Sequence, residues 1–203
     1  MSRLSKDLRT VLGRNHEFYL EDNRNFPEAG WNDIVMSLAT GKAVGANVPD
    51  WNTYRDGIKA WEFGAAVTDE LWINFHIEHD YMVGSGMYPH IHFSPITTST
   101  GVIRWGVEYS YADREGTFPA STTIYLEYTI AADAQYDHLV VEATDAQAAL
   151  ITGDVDGICQ MRVFRDGAHA NDTFPDGVFG LTADIHYQVN KFCTLNKAAP
   201  FNG

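Results

Sequence analysis

The segment 79–93 carries His79, His90 and His92, three of the chain's eight histidines, together with a Gly84-Ser85-Gly86 turn and Pro89. A β-strand has a period of two, so His90 and His92 project from one sheet face. His76 and His186 fall on the polar sides of other strand-like segments, and Asp184 lies beside His186 on the same side. Two or three imidazoles with a carboxylate can hold zinc, iron or manganese. The candidate ligands are His90, His92 and His186. A cupin-like metalloenzyme opens with His-x-His. It then needs a ligating Glu four or five residues after the second His, where this chain has Ile96 and Thr97. That departure leaves no catalytic residue to name. Two readings remain: a structural metal or buried histidine cluster at an oligomer axis, where symmetry multiplies each ligand, or imidazoles that hydrogen-bond within a sheet face or an interface.

Other chemistries have less behind them. The chain has no Gly-x-Ser-x-Gly nucleophile elbow and no phosphate-cradling Gly-x-x-x-x-Gly-Lys-Ser/Thr loop. Carboxylate pairs such as Asp69/Glu70 and Asp154/Asp156 arise by chance in a protein with 27 acidic residues. Asp154-Val155-Asp156-Gly157 resembles part of a calcium loop, but the downstream Glu is absent. Cys159 sits in an apolar alternation and suits a small core position.

The segments that would position these residues are strands. Candidates run over 32–38, 57–64, 70–78, 87–94, 102–111, 121–130, 137–143, 157–165 and 178–190, separated by turns such as Asp56-Gly57, Asp166-Gly167 and Asp176-Gly177. Ile103, Trp105, Val107 and Tyr109 alternate with Arg104, Glu108 and Ser110. Leu71, Ile73, Phe75 and Ile77 form a second apolar face, and Phe179, Leu181, Ala183, Ile185, Tyr187 and Val189 a third. One apolar and one polar face per strand predicts an all-β protein of antiparallel sheets. This many strands in 203 residues predicts a two-sheet sandwich, with the jelly roll as the expected wiring. The domain is expected over 31–203. Residues 1–30 are expected to form an N-terminal arm, in which Ser5 would cap a short amphipathic helix beginning at Lys6. Residues 143–150 suit a short helix or a crossover, and 166–177 an exposed loop.

The net charge of −13 argues against nucleic acid and anionic lipid as partners. No apolar run approaches the length of a membrane span. The basic start, Met1 to Lys6, lacks the apolar core of a secretory signal, so the protein is expected to mature inside a cell.

Four stretches resemble a family of structural proteins of tailed bacteriophages and prophages. They are 79–93, with its His-Asp-Tyr turn leading to Tyr-Pro-His-Ile-His-Phe; Thr100 to Ala112 (TGVIRWGVEYSYA); Thr117 to Ile124 (TFPASTTI); and the run from Met161-Arg162-Val163-Phe164-Arg165-Asp166 to Asp184-Ile185-His186-Tyr187-Gln188. The resemblance implies a virion protein without enzymatic activity, made in the host cytoplasm. It is expected to form a homo-oligomer, a trimer by the habit of the class, and to contact the major capsid protein or other virion proteins as a capsid decoration. The family supplies no catalytic residue and no cofactor beyond the structural metal already considered. Two alternatives stand beside this reading. One is a collar or tail-fibre component that binds host glycan through loops 112–120 and 166–177. The other is the cupin-like metalloenzyme.

Overall fold

The computed structural model describes residues 29–148 and 151–190. The expected arm helix and Cys193 lie outside these residues. The described residues form ten strands: β1 (Ala29–Ser37), β2 (Asp50–Arg55), β3 (Ile58–Phe63), β4 (Thr68–His76), β5 (Met87–Pro95), β6 (Gly101–Ala112), β7 (Thr122–Ile130), β8 (Leu139–Glu142), β9 (Ile158–Asp166) and β10 (Val178–Asn190). A 3-10 turn spans Leu38–Thr40, and a short helix, α1, spans Asp145–Ala148.

The strands make a two-sheet antiparallel β-sandwich. One sheet runs β2-β3-β10-β5-β8, with β1 also paired to β10, and the other runs β4-β9-β6-β7. Strands β3 to β10 follow jelly-roll order, as expected, with β3-β10-β5-β8 in one sheet and β4-β9-β6-β7 in the other. β10 is long enough for two neighbours on one edge: Val178–Gly180 pair with β3, and Thr182–Asn190 pair with β1. Its other edge pairs with β5. β1 begins at Ala29, two residues inside the stretch expected to form the arm.

The expected apolar faces of β4 and β6 close the core. Leu71, Phe75, Ile103, Trp105 and Val107 are buried. The Trp105 ring packs at 4.9 Å from Phe63 and 5.8 Å from Phe93, joining the two sheets. Cys159 is a buried free thiol in this core, and burial pushes its pKa up to about 12. It stays a thiol, in keeping with a packing role.

Three expectations change. β2 escapes the sequence pattern because nearly every residue of Asp50–Arg55 is exposed, so no alternation marks it. It forms a hairpin with β3 through Asp56-Gly57, where Asp56 adopts φ 52°. The uniform apolar face of β10 is broken by a bulge between Gly180 and Thr182. One extra residue inverts the parity of the strand. Ala183, Ile185 and Tyr187 face the core as expected. Before the bulge it is Val178 that joins the core, while Phe179 packs outside against Tyr54 at 5.3 Å. Leu181 is only half-buried.

The loop 166–177 is exposed at 168–171 but held down beyond them. Phe174 is buried, and the Asp172 side chain is wholly enclosed with Arg165. Gly101 makes this closeness possible, because a Cβ there would lie 2.6 Å from the Thr173 carbonyl oxygen. The amides of Thr173 and Phe174 both donate to the Val102 carbonyl, at 2.8 and 2.9 Å.

Candidate metal centre on the outer sheet face

β5 and β10 are the central strands of the six-stranded sheet, and their register sets the site. Asp184 lies opposite His90, and Thr182 opposite His92. On the far side of β5, Glu142 of β8 lies opposite His90 and Val140 opposite His92. On the far side of β10, Val35 of β1 lies opposite Asp184 and Asp33 opposite His186. Residues facing one another across an antiparallel pair bring their side chains into contact. The outer face therefore gathers His90, His92, Asp184, His186, Asp33 and Glu142.

The tightest group is His90, His92 and Asp184. Asp184 Oδ2 lies 3.4 Å from His90 Nε2 and 3.1 Å from His92 Nε2. His90 and Asp184 are 6% and 5% exposed despite standing on an outer face. His90 Nδ1 lies 3.4 Å from the Tyr88 carbonyl. His92 Nδ1 lies 2.6 Å from His138 Nε2, and the two rings stack at 4.8 Å. A looser group joins His90 with Asp33 and His186. In it, His90 Nε2 and Asp33 Oδ1 are 3.8 Å apart, and Asp33 is well exposed.

The two strand-neighbour histidines titrate in opposite directions. Burial pulls the His90 pKa down, but the hydrogen bond to Asp184 and its charge more than offset that, so it lies above the usual imidazole value. Burial also lowers His92. Asp184 opposes the effect, but the neighbouring His90 and His138 add to it, so the His92 pKa lies below the usual value.

The three expected ligands thus share one face but are not one set. His90 and His92 converge. His186 Nδ1 instead lies 3.0 Å from Glu142 Oε1, with its ring 4.9 Å from Trp31. The third member of the tight group is Asp184. His76 belongs to the other sheet, where its Nε2 meets Asp156 Oδ1 at 2.9 Å. Asp156 also accepts from Arg114 at 3.1 Å, so the carboxylate of the calcium-like stretch is already engaged by protein groups. His138 and Glu142 join the face as partners of His92 and His186, which the sequence pattern does not single out. Their spacing with Val140 in the expected strand 137–143 was a usable signal, but one strand's pattern does not say which neighbour it pairs with.

The opposite outer face is differently built. Arg162 bridges Glu70 and Glu108, and Ser121 donates to Glu108 at 2.6 Å. Arg104 joins Glu127 and Asp166 while lying 3.8 Å over the Tyr125 ring. The shallow depression lined by Trp72, Glu108, Ser121 and Arg162 is walled by groups that already satisfy one another.

No family model matches the chain, and no curated protein matches it in sequence. Several solved structures share the sandwich. CBM35 from Cellvibrio japonicus Abf62 is similar with a TM-score of 0.38 and 10% identity, over 80% of this chain and 99% of that one. The CBM36-1 domain of a multidomain xylanase from the hindgut metagenome of Trinervitermes trinervoides gives 0.35 and 9%, over 76% and 96%. TmCBM61, solved with β-1,4-galactotriose, gives 0.30 and 14%, over 79% and 88%. What this chain has in common with these carbohydrate-binding modules is the β-sandwich.

Proposed function

We propose that this chain is a non-enzymatic structural component of a tailed-bacteriophage virion, an oligomeric sandwich that decorates the capsid. One observation carries the reading: where the family-like stretches fall in the fold. They supply most of β5 and β10, the central pair of one sheet, and β6 with most of β9, the central pair of the other. They also include the loop clamped by Arg165. A resemblance made only of turn residues could follow from turn chemistry. This one runs through the frame of both sheets.

The surface is compatible with a role built on contact. Trp31 and Val35 on β1 and Val140 on β8 leave apolar area open on the outer face of the six-stranded sheet. A decoration protein stabilises a shell by burying such area against a neighbour. A net charge of −13 suits a component facing away from packaged DNA. The test is the protein inventory of purified particles, followed by a cryo-EM reconstruction. Density for this chain at icosahedral shell positions is expected, with particles lacking it bursting more readily on heating. Its absence from purified particles would end the reading.

A collar or tail-fibre position with host-glycan binding is the second reading. It is favoured by Phe118, exposed in the loop between β6 and β7, and by Trp51, half-exposed on the edge hairpin against Trp61. Density confined to the neck or tail, with a positive glycan array, would replace the first reading with this one.

A further inference from the structure

We infer that His90, His92 and Asp184 form a binding site for a divalent transition-metal ion, with zinc(II) the best fit, clamped between the two central strands of the six-stranded sheet. The inference rests on side-chain geometry and is independent of the virion reading.

Distance comes first. Ligands at about 2.0–2.1 Å from a tetrahedral zinc ion stand about 3.3 Å from one another. Asp184 Oδ2 stands 3.1 Å from His92 Nε2 and 3.4 Å from His90 Nε2. Two of the three separations are therefore already those of ligands around an ion, and the three ligand atoms all lie within 4.8 Å of one another.

Hydrogen-bond accounting points the same way. A carbonyl oxygen only accepts, so His90 Nδ1 carries the proton it donates to Tyr88 O. In the neutral ring, His90 Nε2 is then a bare lone pair. His92 reaches the same state when its Nδ1 donates to His138 Nε2. Metal-bound histidines are usually held this way, the second ring nitrogen donating to an outer partner. Two lone pairs then converge on a carboxylate oxygen, and three acceptors at this distance repel unless a cation sits among them.

A single proton does not solve the problem. Protonating His90 would satisfy the His90–Asp184 contact. It would leave His92 Nε2 and Asp184 Oδ1, both buried and without a hydrogen-bond partner among the described residues. Buried polar atoms in folded proteins are rarely left so. One ion meets the Nε2 atoms and the carboxylate together. Two imidazoles and one carboxylate favour zinc or a neighbouring first-row metal over calcium or magnesium, which want oxygen ligands. Asp33 Oδ1, 3.8 Å from His90 Nε2, is the next oxygen in reach for a fourth position.

The test uses the full chain, expressed without a histidine tag and purified without chelator. Elemental analysis is expected to give one zinc per chain. After stripping, titration with zinc chloride should restore one equivalent and raise the unfolding temperature. Cobalt(II) should give the visible absorption of a tetrahedral complex. Asp184→Asn and His92→Gln should each weaken zinc binding about 100-fold or more, while His186→Gln should leave it within a few-fold. Three results would overturn the inference. The first is a stripped wild-type protein whose melting does not respond to zinc. The second is equal binding by wild type and Asp184→Asn. The third is one metal per three chains, which would place the ion on an oligomer axis. The wild-type titration decides the matter even if a variant fails to fold.

Discussion

The buried ionisable clusters around Arg165 and around Asp184 are closed to different degrees. Arg165 is fully enclosed at the end of β9. Its five N–H donors are all used: Nε and Nη2 grip the two Asp172 oxygens at 2.9 and 2.8 Å, and the rest reach the carbonyls of Phe63, Phe174 and Asp176. The Arg104 amide adds a donor to Asp172 at 3.1 Å. Asp184 is almost as deeply buried, yet among the described residues its Oδ1 has no hydrogen-bond partner, and its Oδ2 faces two imidazole nitrogens. The first cluster is saturated and fastens the loop 166–177. The second has acceptors to spare. Burial of charge alone therefore says little about purpose; the count of donors against acceptors separates a fastening from a receptor.

The same chemical change at the two aspartates should give opposite results, which is the severest test of this contrast. Asp172→Asn leaves the Arg165 charge buried without a counter-ion. It is expected to cost about 3–5 kcal/mol, read as a lower urea midpoint. Asp184→Asn in chelator at alkaline pH removes an unneutralised charge and supplies an amide donor to a bare imidazole. It is expected to be neutral or to stabilise by about 1 kcal/mol. A loss at Asp184 as large as that at Asp172 would erase the distinction.

Dependence on pH sharpens it further. The folded-state pKa of His90 lies above its unfolded value. Its contribution is therefore complete below about pH 6.5 and is lost as pH rises through the folded value. His92, with a depressed folded pKa, acts in the other sense: protonation on acidification favours the unfolded chain. Asp33, Glu142, His138 and His186 face the same cluster and are common to wild type and variant. The stability of metal-free wild type relative to Asp184→Asn should fall as pH is raised above about 6.5. A flat difference in urea midpoints between pH 5 and 9 would show that Asp184 does not hold the His90 proton.

The smallest effect belongs to the opposite face. Arg162 bridges Glu70 and Glu108 where Arg162 and Glu108 are partly solvated and the Glu70 side chain keeps 11% of its surface exposed. Arg162→Ala is expected to cost less than about 1 kcal/mol, and the loss should shrink further in high salt.

Much of this frame is legible in the amino-acid sequence. The alternation in 70–78 and 102–111 gave both strands and their core faces, because each strand has one wet side and one dry side. The exposed edge strand Asp50–Arg55 has no dry side and left no mark. The pairing of His90 with His92 follows from strand period alone. That Asp184 and not His186 completes the tight group depends on the β5–β10 register, which only the assembled sheet fixes. Arg165 was invisible for a related reason. A charged residue at an apolar position within β9 looks like an interruption until the returning loop brings Asp172 to meet it.

The bulge at Leu181 has a consequence for how this sequence can change. Strand β10 holds two reading frames joined at one residue. In the first, even-numbered positions point inward, as Val178 does; in the second, odd-numbered ones do, as Ala183, Ile185 and Tyr187 do. Deleting Leu181 would join the frames without turning a side chain over: Val178 would still point inward, and so would Ala183, Ile185 and Tyr187, now in one regular alternation. The bulge is thus a place on β10 where a residue can be lost with both faces kept. A residue lost between Ala183 and His186 would instead turn His186 toward the hydrocarbon interior. The lineage of this chain is therefore expected to change length at Leu181 more readily than farther along the strand.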